Sequence, residues 1–150
     1  MSLSNLEPGH FNHIALPSGD PERCAKFYSE VLGFRLVSRP CFSFDGRWLY
    51  RAEAGVMIHL IHDEKHSEKH SENPQPNGES INTRGHHFAM QSSDVTCDLQ
   101  LLAEHGVETV QRTLPDHGYR QVFFRDPDGN VIEIGEWPPV ADMVVEDCGG

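Results

Sequence analysis

No stretch of this chain stays apolar long enough to cross a bilayer as a helix, which takes about 18 consecutive apolar residues. Basic residues are scarce as well: 12 Lys and Arg stand against 23 Asp and Glu, a formal net charge of −11 with His neutral. Phosphate-rich partners need clustered cations, so neither nucleic acid nor an anionic membrane surface is expected as a partner. Cysteine is sparse and scattered (Cys24, Cys41, Cys97 and Cys148), with no Cys-x-x-Cys. That spacing reads as reduced core or tail thiols and not as a disulfide framework. The first residues hold no basic segment leading into an apolar one, so no signal peptide is read and a cytoplasmic protein is expected. With 150 residues, 37% hydrophobic and 23% charged, the chain is sized for one globular domain, or for two small halves sharing one core. The one residue type in excess is histidine, at 10.

Sliding the sequence against itself by 74 positions accounts for part of that excess. His13 falls on His87 (87 − 13 = 74) and His59 falls on Glu133 (133 − 59 = 74). The chain between these positions repeats in order. Phe11–Leu16 alternates like a strand, with Phe11, His13 and Ala15 on one face and Asn12, Ile14 and Leu16 on the other. Asp20-Pro21-Glu22 opens a helix with an N-cap, a proline at the first helical position and an acid near the positive dipole end. Cys24, Phe27, Tyr28, Val31 and Leu32 make its apolar stripe, and Gly33 stops it. Strands are predicted over Phe34–Ser38, Ser43–Arg51 and Val56–Ile61, the last two separated by a turn at Gly55. The unit is β-α-β-β-β.

Its second copy runs from His86. Asp94 is again the N-cap, Val95, Leu99, Leu102 and Ala103 the stripe, and Gly106 the stop. Strands follow over Val107–Gln111, Tyr119–Arg125 and Asn130–Gly135, with Asp126-Pro-Asp-Gly129 as a tight turn. The expected fold class is therefore α+β, with one domain made of two tandem βαβββ modules. Module one covers about 11–61 and module two about 85–137. A polar, mobile linker over 62–84 holds the near-repeat Glu64-Lys-His-Ser-Glu-Lys-His-Ser-Glu72, and an acidic tail covers 138–150.

In each strand the metal-type residue lies opposite a strongly apolar face: Ile14 and Leu16, Ile58 and Leu60, Phe88 and Met90, Ile132 and Ile134. Those faces pack under the helices, which leaves the ligand face as the inner one. A His or Glu on a half-apolar face costs several kcal/mol, roughly, if left unpaired. One divalent ion would satisfy His13, His59, His87 and Glu133 together, and imidazole with carboxylate suits Zn, Ni, Fe, Co or Mn. An open coordination position would polarise a substrate oxygen. A rival stripe in the linker, His62, His66 and His70 at i, i+4 and i+8, lacks the apolar periodicity of a helix.

Three motifs, Asn12-His-Ile-Ala-Leu with Asp20, Phe27-Tyr-Ser-Glu-Val-Leu-Gly-Phe34 and Phe124-Arg-Asp-Pro-Asp-Gly-Asn-Val-Ile-Glu133, resemble the vicinal oxygen chelate superfamily. It includes glyoxalase I, bleomycin-resistance proteins, fosfomycin thiol transferases, extradiol dioxygenases and methylmalonyl-CoA epimerase. The stretch from Arg39 to Tyr50, with Ile58–Ile61, is similar to a glyoxalase I-like subgroup. The resemblance implies paired modules forming a cupped, barrel-like mixed sheet with the helices outside and a divalent metal in the cup, bound at the positions of His13, His59, His87 and Glu133. It also implies a homodimer. Glyoxalase I usually carries Glu where His59 stands, so Glu133 is the one ligand carboxylate left to act as catalytic base. Phe44, Arg47, Trp48, Tyr119, Arg120 and Gln121 are the candidates for contact with a small-molecule substrate. A metal-dependent lyase or isomerase is the leading expectation. The alternatives are an Fe(II) ring-cleaving dioxygenase, a thiol transferase and a non-catalytic drug-binding protein.

Overall fold

Aspartate starts the helix of each module. In the computed structural model, which describes residues 6, 8–66, 80–115 and 118–138, the Asp20 carboxylate accepts from the backbone N–H of Arg23 at 3.0 Å and Asp94 accepts from that of Cys97 at 3.0 Å. Each bond satisfies one of the donors a helix start leaves open. Gly33 and Gly106 follow the helices at φ 70° and 69°, the left-handed conformation that glycine adopts without steric cost.

The chain divides into two units. Unit one is Met1–Asn77 together with Asp126–Asn130; unit two is Gly78–Arg125 together with Val131–Gly150. Unit one runs β1 (His13–Ser18), α1 (Pro21–Glu30), β2 (Arg35–Val37), β3 (Gly46–Arg51), a 3-10 turn (Ala52–Ala54) and β4 (Val56–His62). Its sheet has the order β1-β4-β3-β2, with β1 parallel to β4 and the other pairs antiparallel. The core lies between sheet and helix, where Leu49, Ile58 and Leu60 are buried beneath Cys24, Ala25 and Tyr28. The buried line on α1 passes through Ala25, so Phe27 and Val31 of the expected stripe are only half-buried. Gly46 is required by close approach, because a Cβ there would stand 2.5 Å from the carbonyl oxygen of Leu60.

The turn Asp126–Asn130 belongs to unit one through its side chains. Asp128 accepts from the hydroxyl of Ser18 at 2.6 Å and from the N–H of Gly19 at 2.9 Å. Asp126 accepts from the hydroxyl of Tyr28 at 2.8 Å, the thiol of Cys24 at 3.6 Å, the side-chain amide of Asn130 at 2.8 Å and the N–H groups of Asp128 and Asn130 at 2.9 Å each. Burial pushes the Asp126 carboxyl up, opposed by the donors from Asn130 and Tyr28. Burial, and then the charge of Asp126, pushes the Cys24 thiol up as well, so this cysteine stays a thiol.

Unit two runs β5 (His87–Gln91), α2 (Val95–Glu104), β6 (Val110–Thr113), β7 (Arg120–Arg125) and β8 (Val131–Gly135), in the sheet order β5-β8-β7-β6. Val122, Phe124, Ile132 and Ile134 are buried on one face. Of the α2 stripe, Val95 and Leu102 are buried, Leu99 is half-buried and Ala103 is exposed.

The two tandem βαβββ modules are present, each with its own open four-stranded sheet, so neither sheet closes into a barrel by itself. Among the described residues no helix is long and apolar enough to cross a membrane. The centre of the linker, with His70, lies outside the described residues, as do His117 and the tail beyond residue 138. Residues 64–66 carry helical backbone. The ring of His66 is 2.8 Å from the carbonyl oxygen of Asp128, a different use from an ion-binding stripe.

Candidate metal centre

Strand register puts two of the expected ligands, His59 and Glu133, each beside an alanine. Ala15 pairs with His59 in unit one and Ala89 with Glu133 in unit two, so the 74-residue offset holds across both parallel pairs (89 − 15 = 74, 133 − 59 = 74). On the antiparallel side the aromatic neighbours are Trp48 opposite His59 and Phe123 opposite Glu133, an offset of 75. The turn is longer in unit two, five residues against four, but its pair stands one position nearer the turn on each strand, so Phe123 and Glu133 are 10 positions apart (133 − 123 = 10) against 11 for Trp48 and His59 (59 − 48 = 11).

In unit one, His59 is 7% exposed and sandwiched. Its ring stacks on His13 at 3.9 Å between centroids, tilted 13°, and on Trp48 at 4.0 Å, tilted 3°. Among the described residues, Nε2 of His59 is buried without a hydrogen-bond partner. Burial, and then the neighbouring His13, holds the His59 imidazole below its ordinary range, which keeps it neutral. Nδ1 of His13 is 2.7 Å from the side-chain oxygen of Asn12, so it is the donating nitrogen and Nε2 is the acceptor left over.

In unit two, Glu133 is 2% exposed. Its Oε2 is 2.9 Å from Nε2 of His87, and its Oε1 accepts from the side-chain amide of Gln121 at 2.7 Å. Nδ1 of His87 lies 2.8 Å from the carbonyl oxygen of Gly85. A carbonyl only accepts, so Nδ1 carries the proton there. Nε2 and the carboxylate are then two acceptors facing each other, and a proton or a metal cation must lie between them. Such outer-shell contacts are the usual means of fixing a metal-binding imidazole.

Within neither unit, among the described residues, do three or more His, Cys, Asp or Glu side chains gather closely enough to hold an ion. Of the four expected ligands, each unit brings together one pair: His13 with His59, and His87 with Glu133. The donors present fit a divalent ion of the borderline class, since all are imidazole nitrogen or carboxylate oxygen and one is a buried nitrogen with nothing to bind.

The other candidates separate by face. Trp48 and Gln121 share the ligand face of their sheets, whereas Arg47 and Arg120 alternate to the helix side. Arg47 donates to Asp45 at 2.6 Å and lies 3.9 Å from Glu22. Arg120 pairs with Glu136 at 3.0 Å and donates to Thr96 of α2 at 3.0 Å. Gln121 is 2% exposed. Phe44 is 45% exposed and stacks with Phe42, 43% exposed, at 5.0 Å; Phe42 is in turn 6.1 Å from Trp48. Tyr119 is half-buried just before β7. Sequence reading missed Asn12, Gly85 and Arg112. Arg112 donates to Gln121 at 2.5 Å.

A model of the Glyoxalase/Bleomycin resistance protein/Dioxygenase superfamily matches residues 10–134. A protein named Glyoxylase I 4, from Arabidopsis thaliana, is 32% identical over 126 residues, covering 82% of this chain and 68% of the relative. Among solved structures, the lactoylglutathione lyase of Agrobacterium tumefaciens superposes with a TM-score of 0.62 at 22% identity, covering 86% of this chain and 94% of the other. TnmS3, an antibiotic binding protein from Streptomyces sp. CB03234, superposes with a TM-score of 0.64 at 24% identity, covering 89% and 100%.

Proposed function

Because this chain belongs to the Glyoxalase/Bleomycin resistance protein/Dioxygenase superfamily, we propose that it is a divalent-metal-dependent lyase or isomerase of the glyoxalase I type. In this reading the substrate is small and oxygenated, and His13, His59, His87 and Glu133 hold the ion. The observation that carries the reading is the His87–Glu133 pair, in which Nε2 and Oε2 meet at 2.9 Å while the other ring nitrogen is committed to Gly85. The orphaned Nε2 of His59 supports it from the other unit. When bound, a divalent ion supplies Lewis acidity, which stabilises negative charge on a substrate oxygen.

The chain's own residues do the rest. Oε1 of Glu133 is held by Gln121, so Oε2 is the atom that takes a proton from one substrate carbon and returns it to its neighbour. Phe44 and Trp48 bind the apolar part of the substrate, and Tyr119 lies at the rim. Arg47 and Arg120, tied to carboxylates on the helix side, stabilise the scaffold. The protein acts as a homodimer.

The test is turnover of hemithioacetals formed from methylglyoxal and several thiols, with Zn²⁺ and with Ni²⁺. Thioester formation supports the reading; its absence with both metals and every thiol overturns it. A second reading, binding without chemistry, is favoured by the half-exposed Phe42 and Phe44. A flat ligand bound tightly and recovered unchanged would select it.

A further inference from the structure

Unit two contains a line of hydrogen bonds that ends on Glu133 and starts at an edge strand. Nε of Arg112 donates to Oε1 of Gln121 at 2.5 Å, and Nε2 of Gln121 donates to Oε1 of Glu133 at 2.7 Å. The guanidinium of Arg112 also stands over the ring of Phe123, 5.5 Å from its centroid. Phe123 is buried, pairs with Glu133 across the sheet, and meets the ring of His87 edge-on at 5.5 Å. A guanidinium has only donors and a carboxylate only acceptors. An amide between them therefore has one orientation, with its oxygen toward Arg112 and its nitrogen toward Glu133. Flipping it would break both bonds at once.

We infer that Gln121 is a positioning residue and Arg112 its anchor, and that together they decide which oxygen of Glu133 faces outward. This rests on the proposed role of Glu133 as ligand and base. With Oε1 taken, the carboxylate presents Oε2 alone, and it reaches an ion or a substrate proton through one oxygen only. Gln121 touches no reacting atom. Arg112 lies on β6, an exposed edge of the sheet, so the orientation of a buried carboxylate is set from a surface position.

The test measures Zn²⁺ binding to the full chain by calorimetry, and kcat and KM on whichever hemithioacetal is turned over, for Gln121→Met, Arg112→Met, Arg112→Lys, the double methionine variant and Glu133→Gln. Gln121→Met should weaken Zn²⁺ binding 10- to 100-fold, the range for loss of an outer-shell partner, and lower kcat with little change in KM. Arg112→Met should act in the same direction and less strongly. Arg112→Lys should recover most of the loss, since an ammonium can still donate to the amide oxygen. The double variant should be no worse than Gln121→Met alone, because both act through one bond to Glu133. In wild type the Arg112 Nε–H should exchange slowly by NMR, and Gln121→Met should abolish that protection.

Losses that multiply in the double variant, or wild-type Zn²⁺ affinity in Gln121→Met, overturn the inference. If Gln121→Met does not fold, Arg112→Met against Arg112→Lys decides it from the exposed strand; equal behaviour of the two overturns it. Zn²⁺ affinity retained in Glu133→Gln removes Glu133 as a ligand, and the relay falls with it. Affinity lost in Glu133→Gln but kept in both single methionine variants removes the relay alone.

Discussion

Replacing His59 by Phe should separate the cost of the unpaired nitrogen from its use. The imidazole is stacked between His13 and Trp48, and a phenyl ring keeps both contacts. Without metal, two effects oppose. Removing a buried, unsatisfied nitrogen relieves about 1–3 kcal/mol, while the larger ring costs about 1–3 kcal/mol in overpacking. The two nearly cancel, so in EDTA the variant should melt within a few degrees of wild type. With Zn²⁺ at a hundredfold excess over the wild-type Kd, wild type gains about 2.7 kcal/mol by mass action. At about 2–4 °C per kcal/mol for a chain of this size, that is a rise of about 5–10 °C. A variant bound a hundredfold more weakly would gain about 0.4 kcal/mol, a shift near 1 °C. Thermal unfolding of both proteins with EDTA and with Zn²⁺ reads all four values. An equal metal-induced rise in the two would show that His59 is not a ligand, and a large deficit in EDTA would show that its nitrogen is not an unpaid cost.

Two further outcomes follow from the first unit. Tyr28→Phe removes a buried 2.8 Å bond to Asp126 and should cost about 1.5–3 kcal/mol, as for bonds to charged acceptors; a loss under about 0.5 kcal/mol in urea unfolding would contradict the turn's anchoring role. The Asp45 carboxyl is held below its ordinary value by Arg47, then by the N–H of Gly46, so its small contribution is present above the unfolded pKa and fades as pH falls through the lower folded one. Arg47→Met should raise the Asp45 pKa toward the ordinary range in an NMR titration, and no movement would refute the assignment.

Local signals were legible. Asp20 and Asp94 cap, Gly33 and Gly106 stop, and the 74-residue offset survives as register at Ala15–His59 and Ala89–Glu133. The edge strands came out with other bounds than expected: β6 is displaced along the chain, Val110–Thr113 in place of Val107–Gln111, and β2 is trimmed at both ends, Arg35–Val37 in place of Phe34–Ser38. The boundary of an edge strand is set by pairing with one neighbour, which periodicity does not report. Side-chain partnerships across long separations left no trace in the sequence. Asp126-Pro-Asp-Gly read as a turn, yet its carboxylates serve Tyr28 and Ser18, 98 and 110 residues away. Gln121 read as a pocket candidate because its strand faces or rims the expected cup; the bond of its amide to Glu133 is a distance that the sequence does not report. Alternation also puts Arg47, one position from Trp48, on the opposite face of the strand.

The departure from a second ligand carboxylate at position 59 has a physical consequence that the two units make concrete. Glutamate at that position would bring charge to a slot between two aromatic rings, and desolvating it there would cost several kcal/mol, roughly, without a cation. A neutral imidazole stacks in that slot instead and leaves one nitrogen free. The full negative charge of the proposed set then resides on Glu133, whose Oε1 is bonded to Gln121 and whose Oε2 faces His87. Three neutral imidazoles and one carboxylate leave a divalent ion with a net charge of about +1, against zero for two carboxylates. In the proposed set, such an ion would be the stronger Lewis acid, and Glu133 would be both its one carboxylate ligand and the base. Proton abstraction would therefore weaken the base's hold on the ion at the moment substrate charge develops. That coupling makes the orientation of Glu133 the most sensitive variable in the proposed chemistry, and it is why the line from Arg112 through Gln121 should register in kcat before it registers in stability.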